Sequence, residues 1–409
     1  NSLRCYPVES RGKTVPHIEF NTNGKTVALR TEESRMALRN VDVRTSFQQK
    51  ARRRASADSS LVGKIREWSP KGSISVDGGA AVIPAVPLRT RLTGLRGNFD
   101  ERFINLDTLA VRIGSTDLGL DGQVRGFLRA LAGRGVLAAD MNVKSGRLNL
   151  DEILVAFGKG SRKETEILDS IPDADATKAD ISVIKVPGNV DFKLGLIADR
   201  VDFAEMGINP LIVNIAIKDK VARLTDMSLQ SEVGDMDIEA YYATKSMSDV
   251  SFGADLHLMN VSSKEIIYML PNVDSLMPAL RHFEGKLGAD MSISSQLDSG
   301  MNVLWPTLEA ILRIRGRDLM ISDAGNLRKV TKLLMFKNKN PGHIDDLSVD
   351  AVVHNGELEV FPFKLGVDRY RCILAGVQDI DRKLNYHISI TQSPFIIPFG
   401  VNIYGYTDN

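Results

Sequence analysis

Residues 344–390 read IDDLSVDAVVHNGELEVFPFKLGVDRYRCILAGVQDIDRKLNYHISI, and this stretch decides the fold class. From Leu347 to Val353 every second residue is apolar, the period that places apolar side chains on one face of a β-strand. Asn355-Gly356 follows, and this dipeptide readily adopts the positive φ angles of a tight hairpin turn. The alternation then resumes, with further turns expected near Val367-Asp368 and at the Gly376-Asp379-Asp381 cluster. The stretch therefore predicts a meander of four amphipathic strands without a helix.

The composition indicates an ordinary folded chain. Of its 409 residues, 43% are hydrophobic and 25% are charged, which argues against disorder. Its 52 basic and 51 acidic residues leave a formal net charge of +1, so no global electrostatic field attracts nucleic acid. We therefore expect no nucleic-acid partner.

The sequence carries neither a disulfide framework nor a membrane span. Cys5 and Cys372 are far apart, which fits a reducing compartment and equally an oxidising one whose fold needs no disulfides. There is no run of 18 apolar residues and no signal peptide. Because the chain opens at Asn1 rather than at a methionine, we expect a piece of a longer protein, with any membrane anchor in a segment absent from this chain.

Changes of pattern along the chain predict four segments. Residues 1–83 form a first β repeat, interrupted at 50–71 by a basic loop rich in arginine and small residues. Residues 84–158 form a second β repeat that ends in a helix, where the apolar spacing changes from two to three or four. Residues 159–187 mix charges, glycines and prolines and are expected to be a linker. Residues 188–409 form the C-terminal region.

Shorter signals predict individual turns and caps. Asn23-Gly24 is expected to be a turn. Asn149 or Asp151 is expected to cap the helix of the second repeat, because either side chain can accept the free amide hydrogens of a first helical turn. The residues from Arg200 to Phe203 are expected to open a short turn or helix.

A unit of pattern recurs along the chain. After an alternating strand and a short gap, an apolar residue and a polar cap begin a short apolar helix at Leu148, Val201, Val261 and Leu319. The steps between these positions are about 53, 60 and 58 residues. Repeats of this length, each with strands that cannot bury their apolar face alone, indicate an elongated stacked architecture.

Five stretches of the C-terminal region carry a resemblance to a known family. They are LGLIADRVDF, FGADLHLMNVSSKEII, EGKLGADMSISSQLDSG, LEAILRIRGRDLMISDAGNLRKVTKLL and the final meander with its Asn355-Gly356 hairpin. In the order of these elements, residues 187–409 resemble the AsmA-like proteins of the bacterial cell envelope, which are grouped with TamB-type bridge-like lipid transfer proteins. Residues 1–150 are similar more loosely, as a further β repeat. The N-terminal membrane helix expected of the family is not found in this sequence.

The resemblance implies both a fold and a function. The fold is mainly β with short capping helices, an elongated repetitive antiparallel sheet curled into an open groove. The helices around Ile266 and Leu327 would cap this groove or cover an edge. The implied function is non-enzymatic: the shielding or transfer of phospholipid on the periplasmic side of the envelope in support of outer-membrane biogenesis. Envelope proteins are the further partners it implies, and neither a cofactor nor a metal is expected.

A lipid groove needs continuous apolar area rather than catalytic groups, because each buried methylene contributes about 0.8 kcal/mol. Alternating strands supply such an area on one face. The candidate groove residues are Leu194, Leu196, Val213, Ile215, Ile217, Leu229, Ile238, Leu256, Leu258, Val349, Val353, Leu358 and Val360.

Three other interpretations stay open at this point. The same residues could form the core of a two-layer α+β or sandwich domain, packed against the short helices. The chain could be a structural or interaction scaffold of the envelope. A β-rich carbohydrate-active enzyme could hide two carboxylates whose pairing is visible only in space. However, the six histidines show no metal-binding spacing, and no nucleophile elbow or phosphate-binding loop occurs.

Overall fold

A computed structural model describes most of the chain, and every structural statement below concerns this part of it. The described residues are 1–31, 35–51, 67–83, 86–131, 135–153, 183–203, 206–231, 234–246, 248–262, 283–321, 343–367, 370–379, 383–393 and 399–406. The predicted helices around Ile266 and Leu327 therefore lie outside the described residues, as do most of the basic loop and of the linker.

The chain divides into two compact units. The first comprises residues 1–177 and 186–222, and the second comprises residues 178–185 and 223–409. Each unit is a succession of β-strands in which neighbours in sequence are, with few exceptions, neighbours in the sheet.

The first unit is an antiparallel meander from its first strand to its eighth. Its strands are β1 (Ser2–Ser10), β2 (Lys13–Arg30), β3 (Arg35–Gln49), β4 (Trp68–Ile83), β5 (Val86–Phe99), β6 (Phe103–Ile113), β7 (Thr116–Arg125), β8 (Leu137–Ser145), β9 (Leu148–Asn149), β10 (Val190–Ala198), β11 (Val201–Phe203) and β12 (Met206–Lys218).

A parallel pairing interrupts this meander. Strand β10 runs parallel to β8, and β11 runs parallel to β9, before β12 returns antiparallel to both β10 and β11. Parallel neighbours need a long crossover, and the forty residues between Asn149 and Val190 provide one. The sequence pattern predicted only antiparallel pairing, so this pair is an unexpected feature.

The second unit is antiparallel at each pairing described in it. Its strands are β13, which begins at the boundary (Val221–Ser231), β14 (Gly234–Ser246), β15 (Asp249–Ser262), β16 (Phe283–Glu284), β17 (Lys286–Leu297), β18 (Glu309–Ile321), β19 (His343–His354), β20 (Glu357–Val367), β21 (Tyr370–Asp379), β22 (Lys383–Gln392) and β23 (Phe399–Tyr406).

Helices are short in the described chain. Helix α1 spans Phe127–Leu131, and a 3-10 turn spans Trp305–Thr307. A further helix begins at Leu150, where the Asn149 side chain accepts a hydrogen bond from the Glu152 amide at 2.9 Å. The prediction that Asn149 caps this helix is therefore confirmed.

The predicted fold class, a mainly β chain built from an open, repetitive antiparallel sheet, is confirmed. Each described strand packs chiefly on the strands to which it is hydrogen-bonded, so the described strands of each unit form a single layer. Among the described residues no second sheet packs against the first, so the described strands do not form a sandwich.

Two local predictions were wrong, and a third was met only in part. Asn23-Gly24 is not a turn, because β2 runs through it, and the hairpin turn lies instead at Arg11-Gly12, where both φ angles are positive (50° and 71°). Arg200 to Phe203 opens no helix, because Val201–Phe203 is a strand paired with β9 and β12. The turn expected at the Gly376-Asp379-Asp381 cluster falls at its far end, because β21 ends at Asp379 and β22 begins at Lys383, whereas Gly376 itself lies inside β21 opposite Tyr386. The Asn23-Gly24 turn signal was misleading because this dipeptide lies within the long strand β2.

Other turn predictions were correct. Asn355-Gly356 closes the hairpin between β19 and β20 with φ angles of 52° and 79°. Strand β20 ends at Val367, where a turn was expected.

Candidate apolar binding faces

The second unit presents one continuous apolar face. In antiparallel strands, directly opposed residues point to the same side of the sheet, so a row of opposed residues can be followed from strand to strand. One such row crosses nine strands, from β14 to β23, and is apolar apart from one glycine. It consists of Ile238, Leu256, Met291, Leu312, Ala351, Val360, Gly376, Tyr386 and Ile403.

The first unit repeats this arrangement with its own residues. A row crosses from β3 to β12, again on one face, through Val41, Val76, Leu95, Leu109, Leu120, Val143, Leu196 and Val213. The parallel pair β8–β10 keeps the row intact, because Val143 lies opposite Leu196. We call these two surfaces the apolar faces of the first and second units.

The structure places the predicted groove residues on these faces. In the first unit Leu194 lies opposite Ile215, Leu196 lies opposite Val213, and Ile217 lies opposite Phe192. In the second unit seven candidates join one buried cluster or pack against it, namely Leu229, Ile238, Leu258, Val349, Val353, Leu358 and Val360. The last candidate, Leu256, lies on the same face opposite Ile238.

Accessibility varies across each apolar face. In the second unit one margin is deeply buried, with Leu287, Leu319 and Ile344 at most 1% exposed. The middle of the face, including Leu256 and Leu312, is half-buried. Towards the last strand the apolar side chains become exposed. The face is therefore sealed along one margin and reachable from solvent elsewhere.

The buried margin coincides with a repeated kink in the strands. In β15 the register shifts between Leu258 and Val261, so that two residues three positions apart share the apolar face. The intervening Asn260 adopts a left-handed φ of 56°. Such a bulge bends the strand and increases its local twist.

The kink accounts for the repeat seen in the sequence. The four recurring apolar positions all lie immediately beyond such a kink or strand break and are 5% exposed or less. They are Leu148, Val201, Val261 and Leu319. The helix expected at Leu148 is present and begins at Leu150. No helix begins at Val201, which lies in β11. The helices expected at Val261 and Leu319 would follow those residues, outside the described part of the chain.

The opposite face is polar and charge-paired. In the second unit Arg313 donates from Nε to Asp350 Oδ1 at 2.7 Å on the neighbouring strand, and this carboxylate raises the pKa of the arginine. His257 is hydrogen-bonded to Asp290 in the same manner. In the first unit Lys218 lies 3.0 Å from Asp191. Each unit therefore presents one apolar face and one polar, charge-paired face.

Two polar groups on the apolar face are buried by their neighbours. Burial raises the pKa of the Tyr386 phenol above its ordinary value. Burial also raises the pKa of the Cys372 thiol, which donates to the Leu365 carbonyl at 3.4 Å. The Cys372 side chain is partly buried, and its raised pKa favours the protonated thiol, which is a weaker nucleophile than the thiolate.

Sequence reasoning missed part of the second apolar face. Strand β23 carries Phe399, Val401 and Ile403 opposite Ile390, Ile388 and Tyr386, and so extends the face by one strand. Its alternation was readable in the sequence PFGVNIYGY. In the first unit the strands from β2 to β8 were predicted, but their apolar residues were not included among the groove candidates.

No catalytic arrangement is evident in the described part of the chain. Within it, no group of three or more histidines, cysteines or carboxylates is placed to hold a metal ion. None of its helices is long and apolar enough to cross a membrane. A comparison with protein-family models, curated proteins and solved structures finds no match to this chain.

Proposed function

We propose that this chain shields the acyl chains of phospholipid against its apolar faces, without catalysing a reaction. The proposal places it in the bacterial cell envelope, on the periplasmic side, where it would support outer-membrane biogenesis. A membrane anchor and envelope protein partners belong to the same proposal. It is supported by the kind of surface that the two units share and by the resemblance of residues 187–409 to AsmA-like proteins.

One observation carries the proposal, the nine-strand apolar row of the second unit. Strands lie about 4.8 Å apart, so its eight steps span about 38 Å. The hydrocarbon core of a bilayer is about 30 Å thick, and the acyl chains of one leaflet span about half of it. The row is therefore longer than one acyl chain. A half-exposed apolar surface of this extent is costly to leave in water, at roughly 25 cal/mol per Å².

The test is lipid retention. Protein purified from bacterial cells should retain phospholipid, which mass spectrometry detects after organic extraction. The double variant Leu256→Glu with Val353→Glu should lower the lipid yield, because it places carboxylates on the apolar face. Circular dichroism should still report the β-structure.

A matched pair of variants separates the apolar face from general damage. Leu312 lies on the apolar face, whereas the adjacent Ile311 lies on the polar face and is 64% exposed. Leu312→Glu should reduce the lipid yield severalfold, and Ile311→Glu should leave it unchanged. Equal yields from the two variants, or a folded wild-type monomer free of lipid, would refute the proposal.

A second candidate function, an interaction scaffold, is favoured by one observation. Strand β23 exposes Phe399, Val401, Ile403 and two tyrosines and contains no charged residue. Exposed apolar edge strands tend to pair with another strand. If the purified protein is lipid-free but self-associates, and Val401→Lys makes it monomeric, the scaffold function replaces lipid shielding.

A further inference from the structure

A hollow in the polar face of the first unit has a floor of small residues. Ala110 on β6 lies opposite Gly119 on β7, and Gly119 lies opposite Lys144 on β8. Because alanine and glycine have almost no side chain, little side-chain volume covers the sheet here, and a depression results. The resulting cavity, which we call the β7 hollow, has a volume of about 580 Å³.

Three cationic side chains line the β7 hollow. Arg91 on β5 lies directly opposite Arg112 on β6, and Lys144 lies on the other side of β7. No ion pair joins any of the three to a described residue. Within the described residues, the hollow is thus bordered from both sides by cations that form no ion pair.

The placement of Arg91 opposite Arg112 is energetically unfavourable on its own. Directly opposed like charges destabilise a sheet, and most opposed charges in this chain are complementary, as in Lys218 with Asp191. Other opposed like-charged pairs in the described strands are Arg30 with Arg35, Glu239 with Asp255 and Glu357 with Asp379. An anion between the two guanidinium groups would convert repulsion into attraction.

The carboxylates that also line the hollow do not neutralise it. Asp117 lies directly opposite Arg112 on β7, but no ion pair joins the two side chains, and the Asp117 oxygens accept hydrogen bonds from the backbone amides of Gly146 and Arg147 at 3.2 and 2.7 Å. Asp199 lies three strands away from Arg112, beyond β7 and β8. Three basic and two acidic side chains leave the lining with a net charge of +1.

The dimensions suit one small anion. Strands β6 and β8 are two spacings apart, about 10 Å, and long basic side chains from both can close on one group above Gly119. Guanidinium groups bind phosphoryl oxygens through paired, charge-assisted hydrogen bonds. The Thr93 hydroxyl, already donating to the Ala110 carbonyl at 3.0 Å, also lies at the border.

We propose that the β7 hollow binds a single phosphoryl group, as a phosphate monoester or diester, through Arg91, Arg112 and Lys144. A net charge of +1 suits one such group and not a polyanion. Ile197, 47% exposed and opposite Lys144, places apolar surface beside the anion. The phosphoryl group could come from a lipid headgroup or from a soluble phosphate ester. The hollow is on the face opposite the apolar one, so this proposal does not depend on lipid shielding.

The binding experiment uses three probes on the full chain. Isothermal titration calorimetry measures binding of inorganic phosphate and of glycerol 3-phosphate, and flotation measures binding to phosphatidylglycerol vesicles. The variants are Arg91→Ser with Arg112→Ser, and Lys144→Ser. The matched control is Arg96→Ser, an exposed arginine on the same strand and face that does not line the hollow.

We expect at least one probe to bind the wild type, the double variant to weaken that binding at least tenfold, and Lys144→Ser to weaken it severalfold. Arg96→Ser should retain wild-type affinity. Binding only to vesicles would identify a headgroup as the source, and binding only to the soluble probes would identify a phosphate ester. Lack of binding to every probe, or equal losses in the control, would overturn the proposal.

A stability measurement provides an independent readout. Phosphate should raise the melting temperature of the wild type and of Arg96→Ser but not that of the double variant, because a ligand stabilises only a fold that binds it. In phosphate-free buffer the double variant should melt no lower than the wild type, since the change removes repulsion. A phosphate-induced shift that persists in the double variant would contradict the assigned residues.

Discussion

The Lys50 ammonium lies 2.5 Å from Glu101 Oε2 and so ties the end of β3 to the turn between β5 and β6. The Ser69 hydroxyl donates to the same carboxylate oxygen at 3.2 Å. The hydrogen bond from Lys50 is the main reason why the pKa of Glu101 lies below its ordinary value, and partial burial opposes it. Four consecutive strands are thereby held together at one end.

This ion pair predicts a pH dependence of stability. Because the pKa of Glu101 is lowered in the folded state, its contribution is present above the ordinary carboxyl value and is lost as the pH falls through the folded value. Both side chains are about one-third exposed, so Glu101→Gln should cost only about 0.5–1 kcal/mol at pH 7. Urea unfolding at pH 7 and pH 3 measures the difference, which should vanish at the lower pH. A constant difference would contradict the assignment.

The kink in β15 predicts a contrast between two substitutions. Asn260 holds a φ of 56°, a conformation that glycine adopts freely and a β-branched residue resists. Asn260→Val should therefore destabilise the protein by about 1–3 kcal/mol, whereas Asn260→Gly should be nearly neutral. Chemical denaturation checks both variants. Similar stabilities for valine and glycine would mean that the kink is not needed.

The alternation of side chains between the two faces of β12 predicts which substitutions the first unit tolerates. Ile215 lies on the apolar face opposite Leu194, and Ile215→Asp should cost about 2–4 kcal/mol because it replaces packed methyl groups with a poorly solvated carboxylate. The control is Ala216→Asp, which lies on the polar face opposite Lys193 and should be tolerated. Thermal melts compare the two. A reversed order would mean that the strand faces are assigned wrongly.

Gly376 predicts a steric coupling within the second apolar face. A Cβ atom at this position would contact the Tyr386 ring and lie 2.8 Å from the Asn385 carbonyl oxygen. Gly376→Ala should therefore destabilise the protein by about 1–3 kcal/mol. In a Tyr386→Leu background the same change should cost less, and a double-mutant cycle by urea unfolding measures the coupling. Strictly additive effects would exclude the ring as the source of the clash.

Much of this fold was predictable from alternation alone. A period of two fixes which residues share a face, and for this reason Leu194, Ile215 and Leu256 were placed correctly before any pairing was known. The recurrence of apolar residues at Leu148 and Val261 located the kinks, although the pattern was interpreted as the start of helices. A bulge and a helix start both place apolar residues three apart, and sequence spacing alone does not distinguish them.

The missed features depend on partners that are distant in sequence. The parallel pairing of β8 with β10 follows from a long connection, which no local period encodes. The β7 hollow depends on register, because Arg91 meets Arg112 only through a particular alignment of β5 with β6. The role of Gly376 likewise depends on which ring lies opposite. The turn propensity of a glycine is a local property, and pairing with a neighbouring strand overrides it.

The pairing of successive strands, described above for both units, has an evolutionary consequence. Because almost every strand finds its partner within the next few dozen residues, a hairpin can be duplicated or deleted without altering the register of any other pair. Genes that encode such a sheet can change length by one hairpin at a time while the faces stay in phase. The parallel pair β8–β10 is the point where this freedom ends, since any insertion there must preserve a crossover.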